Sequence, residues 1–241
     1  MLLCELQKGC FAGLKTIVIK ISGSLFYWER VEDGLPPIAS VVRKAVSKGG
    51  SKLVVVAGGG ETARRYIKTG RKLGGGEGLL DDMGLRAARL NAGLLISSLG
   101  DLAYPIVPED LGHVIEAVET TKVVVTGGLH PGHSTNAVAA LIGERLRADL
   151  LVNTTDVDGV YTSDPDKDKS AKLLPKVTTQ QLRDMFGSSR MLAGTYELLD
   201  LVAINVIERA GLRTRIIKCA PKEIEEALQG KAVGTEIVRE A

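Results

Sequence analysis

The chain has 241 residues, of which 44% are hydrophobic, 25% charged and 4% aromatic, with a formal net charge of +2. That composition sustains one large or two small packed domains and excludes a low-complexity chain. The scattered basic residues, without a basic tract or an aromatic platform, argue against a nucleic-acid binder, and no apolar run reaches the ~18 residues of a membrane span.

In chain order, the start lacks the basic and long apolar regions of a signal peptide, so the protein is read as cytoplasmic. Residues 16–22 (TIVIKIS) are a β-branched strand. Residues 34–50 read as a helix with prolines near its start and glycine at its end. A second buried strand, 52–57, stops at Gly58, Gly59 and Gly60, and a helix over 61–73 follows. After a flexible loop at 74–78, residues 79–100 carry apolar side chains at helical spacing and read as a long core helix. Residues 122–126 are a strand, 127–134 a loop, 135–148 a helix and 149–154 a strand. The tail is expected to hold a helix over 195–211, a strand over 214–219, a helix from Pro221 and a strand over 235–240. Cys4, Cys10 and Cys219 form no C-x-x-C pair and are expected to be buried or idle thiols.

Strands alternating with helices predict an α/β protein with a doubly wound, mostly parallel sheet and helices on both faces. In such sheets ligands sit outside the carboxyl ends of the strands. Four strand ends carry polar or glycine-rich loops, at 22–24, 58–60, 127–133 and 155–164, and these are expected to converge on one site.

Each loop has a chemical reading. GGGETA at 58–63 matches a dinucleotide fingerprint, but its acids, Asp81 and Asp82, open a helix instead of ending a strand. Successive glycines there offer backbone donors to an anion, or serve a packing turn. GGLHPGHS at 127–134 has P-loop spacing with His133 where lysine belongs. It still places a helix N-terminus at Ser134 and Thr135, an anion site. His130 and His133 are read as polar lining and not as metal ligands. DVDGVYTSDPDKD does not line up as a calcium loop. Asp156 and Asp158 nevertheless follow a buried strand directly, where charge needs a partner. Lys20 lies inside the first strand and is expected to reach an anion near its end; an edge strand with Lys20 in water is the alternative. Arg64, one turn into the next helix, reaches the same zone or the surface.

KISGS, VVVAGGGETARRYI, DMGLRAARLNA, VVTGGLHPGHSTNAVAAL, TTDVDGVYTSDP and AGTYELLD together resemble the amino-acid kinase superfamily, and within it the archaeal-type UMP kinases. The resemblance runs from about residue 15 and leaves 1–14 as an N-terminal extension. It implies an αβα sandwich over 15–241, with an acceptor-binding part at about 15–150 and an ATP-binding part at about 151–241. It implies transfer of phosphate from ATP to UMP, with Mg²⁺ carried by ATP and not by a protein metal site, and a homo-oligomer, typically a hexamer. Residue by residue, it places Lys20, Ile21, Ser22, Gly23 and Ser24 on the ATP phosphates, with Gly60 and Arg64 on the ATP side. Thr155, Asp156, Tyr161 and Asp164 would take the ATP nucleoside and metal region. Gly59 and Asp81 would contact UMP, Asp81 at the ribose. Leu129, His130, Pro131, Gly132, His133, Ser134 and Thr135 would wrap the UMP phosphate and uracil. Lys20 and Asp158 would be catalytic, Asp158 as organiser. ISGS departs from relatives with two glycines there, and Asp156 stands where many carry asparagine.

Rival expectations are an isopentenyl phosphate, carbamate or amino-acid kinase of the same fold, or a non-catalytic storage protein. The first would carry a histidine after the triple glycine, where this chain has Glu61, Thr62 and Ala63. Retention of Lys20 and Asp158 argues against the last.

Overall fold

Apolar β-branched runs become buried strands, and the segments between them become amphipathic covers. The computed structural model describes residues 16–186 and 198–238. Its elements are β1 (Thr16–Ile21), α1 (Trp28–Gly49), β2 (Lys52–Ala57), α2 (Gly60–Lys72), α3 (Glu77–Leu99), α4 (Leu111–Thr120), β3 (Val123–Thr126), α5 (Thr135–Arg145), β4 (Leu150–Thr155), β5 (Lys176–Thr178), α6 (Thr179–Phe186), α7 (Leu201–Ala210), β6 (Thr214–Lys218), α8 (Pro221–Leu228) and β7 (Thr235–Val238). The 1–14 extension lies outside the described residues, as does 193–197 of the AGTYELLD motif.

The strands form one seven-stranded sheet in the order β3-β2-β1-β4-β6-β7-β5. It is parallel from β3 to β6, and β7 pairs antiparallel with β6. Side chains alternate between two cores because successive residues of a strand point to opposite faces. Ile17, Ile19 and Ile21 pack with α1, α3 and α8 on one face. Val18, Val54 and Val124 pack with α4, α5, α6 and α7 on the other. The αβα sandwich is therefore present. The chain winds from β1 outward to β2 and β3, then returns to place β4 on the other flank of β1. The switch point between β1 and β4 is where such a sheet opens a crevice at its carboxyl edge.

Several boundaries differ from the sequence reading. α1 starts at Trp28, so Pro36 and Pro37 lie inside it and not at its first turn. Proline there removes the hydrogen bonds to the carbonyls of residues 32 and 33, both exposed, so water can serve them. α7 starts at Leu201, because the Asp200 carboxylate accepts from Ala203 N at 3.0 Å and caps it. Three elements were not foreseen: α4, capped by Asp110, and the short β5 and α6. Among the described residues no helix is long and apolar enough to cross a membrane.

Candidate active site

β1 is central, with Lys20 paired in register between Val56 of β2 and Asn153 of β4. This removes the edge-strand alternative for Lys20. Its ammonium donates to Thr154 O at 3.2 Å and faces a pocket at the sheet's carboxyl edge. Loss of water around the ammonium lowers its pKa from 10.5 to about 8, against the opposing pull of Cys219, Asp156 and Asp200. An incoming phosphate would add counter-charge and favour the ammonium further.

All four strand-end loops reach this pocket. Its lining includes Lys20, Ser22 and Gly23 after β1, Gly59, Gly60 and Arg64 after β2, His130, Pro131, Gly132, His133, Ser134 and Thr135 after β3, and Thr155 and Asp156 after β4. Asp81 of α3 completes one wall. The loops after β1 and β2 touch backbone to backbone: a Cβ on Gly23 would lie 2.7 Å from Gly60 N, and one on Gly58 2.7 Å from Gly23 N. Gly60 also has φ +63. Part of the triple glycine therefore serves close loop packing, while the N-terminus of α2 opens into the pocket.

Asp156 finds its partners across the switch point. Ser22 Oγ donates to Asp156 Oδ1 at 2.8 Å, and the Ser24 hydroxyl donates to the same oxygen. Ser22 N donates to Thr154 Oγ1 at 2.9 Å. The β1 and β4 loops are thus tied across the crevice, and the carboxylate whose charge demanded a partner has two hydroxyls. Beyond β3, Ser134 caps α5 by accepting from Ala137 N at 3.0 Å, and its hydroxyl donates to buried Asp200. One carboxylate so braces the starts of both α5 and α7. Asp81 Oδ2 accepts from Gly132 N at 2.9 Å, fastening the 128–134 loop to α3.

Some foreseen residues stand apart from the lining. Ile21 is buried in the first core, and Leu129 packs against the second. Ser24 reaches the site through Asp156 and through the Ser22 hydroxyl, 3.1 Å from its own. Asp158, Tyr161 and Asp164 lie on the segment beyond β4. There Asp158 accepts from the Tyr161 hydroxyl at 3.0 Å and sits 3.6 Å from Lys218 Nζ. Asp164 pairs with Lys167 at 2.8 Å, which holds its carboxyl below the usual range. Arg64 is exposed on the rim and bonds the Tyr27 hydroxyl. The His130 and His133 rings lie 5.5 Å apart, tilted at 49°, and His130 Nδ1 lies 2.7 Å from Pro131 O.

Tyr27, Arg89, Asn91, Thr154 and Asp200 escaped the sequence reading. Asn91 Nδ2 donates to Gly58 O at 2.7 Å. The Asp200 cap before an apolar helix was the one local signal available for any of them.

Comparison with known proteins follows the same lines. The amino acid kinase family model matches residues 15–218. A uridylate kinase of Sulfurisphaera tokodaii is 45% identical over 221 residues, covering 91% of this chain and 97% of the relative. One of Methanothermobacter thermautotrophicus is 40% identical over 225 residues, covering 93% and 99%. The crystal structure of uridylate kinase from Archaeoglobus fulgidus superposes with a TM-score of 0.81 at 38% identity, covering 93% of this chain and 100% of that one. A UMP kinase from Bacillus anthracis shares the fold at a TM-score of 0.76 and 22% identity, covering 95% and 97%.

Proposed function

This chain belongs to the amino acid kinase family, and from that premise we propose that it transfers the γ-phosphoryl group of ATP to UMP, releasing ADP and UDP. The observation that carries the reading is the convergence of four strand-end loops around Lys20, with two helix N-termini opening on one pocket. A UMP phosphate oxygen attacks the γ-phosphorus, and the bond from that phosphorus to the β–γ bridging oxygen breaks. No general base is needed, because the nucleophile is already an anion. Phosphoryl transfer asks chiefly for positioning and charge neutralisation.

Lys20 supplies a cation at the transferring group. The start of α2, with Gly60 and Arg64, serves the ATP side, together with Ser22, Gly23 and Ser24. The start of α5 and the 129–135 loop serve the UMP phosphate and uracil, and Asp81 the ribose. Thr155, Asp156, Tyr161 and Asp164 are assigned to the ATP nucleoside and metal region. Asp158, paired with Lys218 on the segment beyond β4, is assigned as the organiser. Acceptor functions fall largely in 15–150 and ATP functions in 151–241.

Among the described residues no cluster of three or more His, Cys, Asp or Glu could cage an ion. Asp156 at the pocket wall instead offers one carboxylate, a donor set that suits Mg²⁺, which takes few carboxylates and keeps substrate phosphates and waters. Asp156 would contact the ion carried by ATP, and Mg²⁺ when bound neutralises phosphate charge. We place the activity in pyrimidine nucleotide supply in the cytoplasm, with no nucleic-acid or membrane partner. A homo-oligomer, a hexamer by resemblance, is supported by Leu79, Leu90 and Leu94, which leave an exposed apolar stripe on α3. Incubation with Mg²⁺-ATP and UMP must yield UDP in step with ADP; ADP without UDP refutes the reaction.

A further inference from the structure

Two of the four pocket loops, those after β2 and β3, are fastened to a single helix. Along α3, Asp81 accepts from Gly132 N, Arg89 Nε donates to Gly128 O at 3.0 Å, and Asn91 Nδ2 donates to Gly58 O. Arg89 makes the most extensive of these attachments. Its two terminal nitrogens also reach Glu109 Oε2 at 2.7 Å and Glu109 O at 2.8 Å. The backbone of Gly127 lies directly on the helix beside it: a Cβ there would come within 2.5 Å of Ala88 C. Arg89 is not among the residues lining the pocket, and its side chain is only 21% exposed.

Resting on the reading of 129–135 as the UMP loop, we propose that Arg89 is a positioning residue for the acceptor. It holds the Gly128 end of the loop in its UMP-receptive form, as Asp81 holds the Gly132 end, and it touches no substrate. The loop needs such anchors. It begins with two glycines and contains a third at φ +81, so its backbone is costly to order. A guanidinium can serve a carbonyl, a carboxylate and a second carbonyl at once from one rigid plane, and an ammonium cannot. The ion pair itself is not the working part. Glu109 is 69% exposed, and a pair so open to water contributes little. The work is done at the two carbonyls, of Gly128 and Glu109, which join the acceptor loop and the segment before α4 to one helix.

A loop populated less often in its receptive form weakens apparent affinity in proportion. Bound UMP restores the geometry, so turnover at saturation survives. The test compares the parent with Arg89→Lys, Arg89→Met and Glu109→Gln, by steady-state kinetics and by calorimetric UMP binding without ATP. Both Arg89 variants are expected to raise the UMP KM and Kd about tenfold, the scale of one lost charged hydrogen bond. The ATP KM and kcat at saturating UMP should stay within about twofold, the pattern of lost uniform binding. Glu109→Gln should stay within about threefold for UMP. Arg89→Lys keeps the charge and most of the stem, so it carries the test if Arg89→Met does not fold. An Arg89→Lys protein that binds UMP like the parent overturns the inference. So does one in which ATP and UMP constants rise together as the melting temperature falls, which marks a merely structural arginine. A parent that does not bind UMP overturns the acceptor reading, and this inference with it; a parent that does, beside an indifferent Arg89→Lys, overturns this inference alone.

Discussion

Replacing Lys20 with methionine separates stability from catalysis. Lowering the Lys20 pKa from 10.5 to about 8 means the charged form is disfavoured in the free protein by roughly 3 kcal/mol. Methionine keeps most of the apolar stem, removes the charge and gives up one hydrogen bond, to Thr154 O. A hydrogen bond from a charged donor is worth about 1.5–3 kcal/mol net, no more than the penalty relieved. Lys20→Met should therefore melt at or above the parent temperature at pH 7. Turnover should move the other way. The loss of one preorganised donor to a developing charge lowers kcat roughly 10²–10³-fold. Differential scanning calorimetry and single-turnover kinetics with saturating ATP and UMP read the two effects. A folded Lys20→Met protein with kcat within a few-fold of the parent would remove Lys20 from the chemistry. Lost ATP affinity at unchanged kcat would make it a binding residue only, and a sharply lower melting temperature would refute the desolvation argument.

The same ammonium sets a pH dependence: it is charged below about 8 and neutral above, so kcat/KM for ATP in the parent should fall as pH rises through about 8. Bound phosphates favour the charged form, so the corresponding limb in kcat should lie at higher pH; coincident limbs would count against it. Because the burial penalty is constant below about 8 and fades as pH rises toward 10.5, any stability advantage of Lys20→Met should shrink across that window in a pH series of melting curves. Asp81→Ala should weaken UMP binding by ~1.5–3 kcal/mol, through the ribose and through the lost Gly132 N contact, and leave ATP binding near the parent value; equal damage to both nucleotides in calorimetry contradicts this. Gly58→Ala would drive a Cβ to 2.7 Å from Gly23 N, so denaturant unfolding should show a loss on the order of 1–3 kcal/mol, and an unchanged midpoint would refute the interlocked loops.

Sequence legibility followed range. Strands were plain because runs such as KLVVVA and KVVVT are apolar on both faces, as a covered parallel sheet requires. The site loops were plain because glycine and charge appear where those runs stop. What failed locally was punctuation. Pro36 and Pro37 read as a helix start, whereas α1 runs six residues further back and spends its missing hydrogen bonds on solvent-facing carbonyls. Asp200 read as part of a helix that it in fact caps. The supporting residues failed for another reason. Arg89 meets Gly128 across 39 residues, Asn91 meets Gly58 across 33, and Ser134 meets Asp200 across 66. Two of those partners are backbone carbonyls, which leave no mark on residue type. Such contacts exist only once the sheet order has brought the segments together.

The central claim is that this pocket passes phosphate from ATP to UMP in preference to other acceptors. The most direct test is a coupled ADP assay of the purified protein with Mg²⁺-ATP and, separately, UMP, CMP, dUMP, isopentenyl phosphate and carbamate, ranked by kcat/KM. The Asp81 wall and the 128–134 loop predict UMP first, and dUMP is compared with it only at the ribose. A higher kcat/KM for isopentenyl phosphate or carbamate would contradict the acceptor assignment, and no turnover with any of the five would contradict the enzyme.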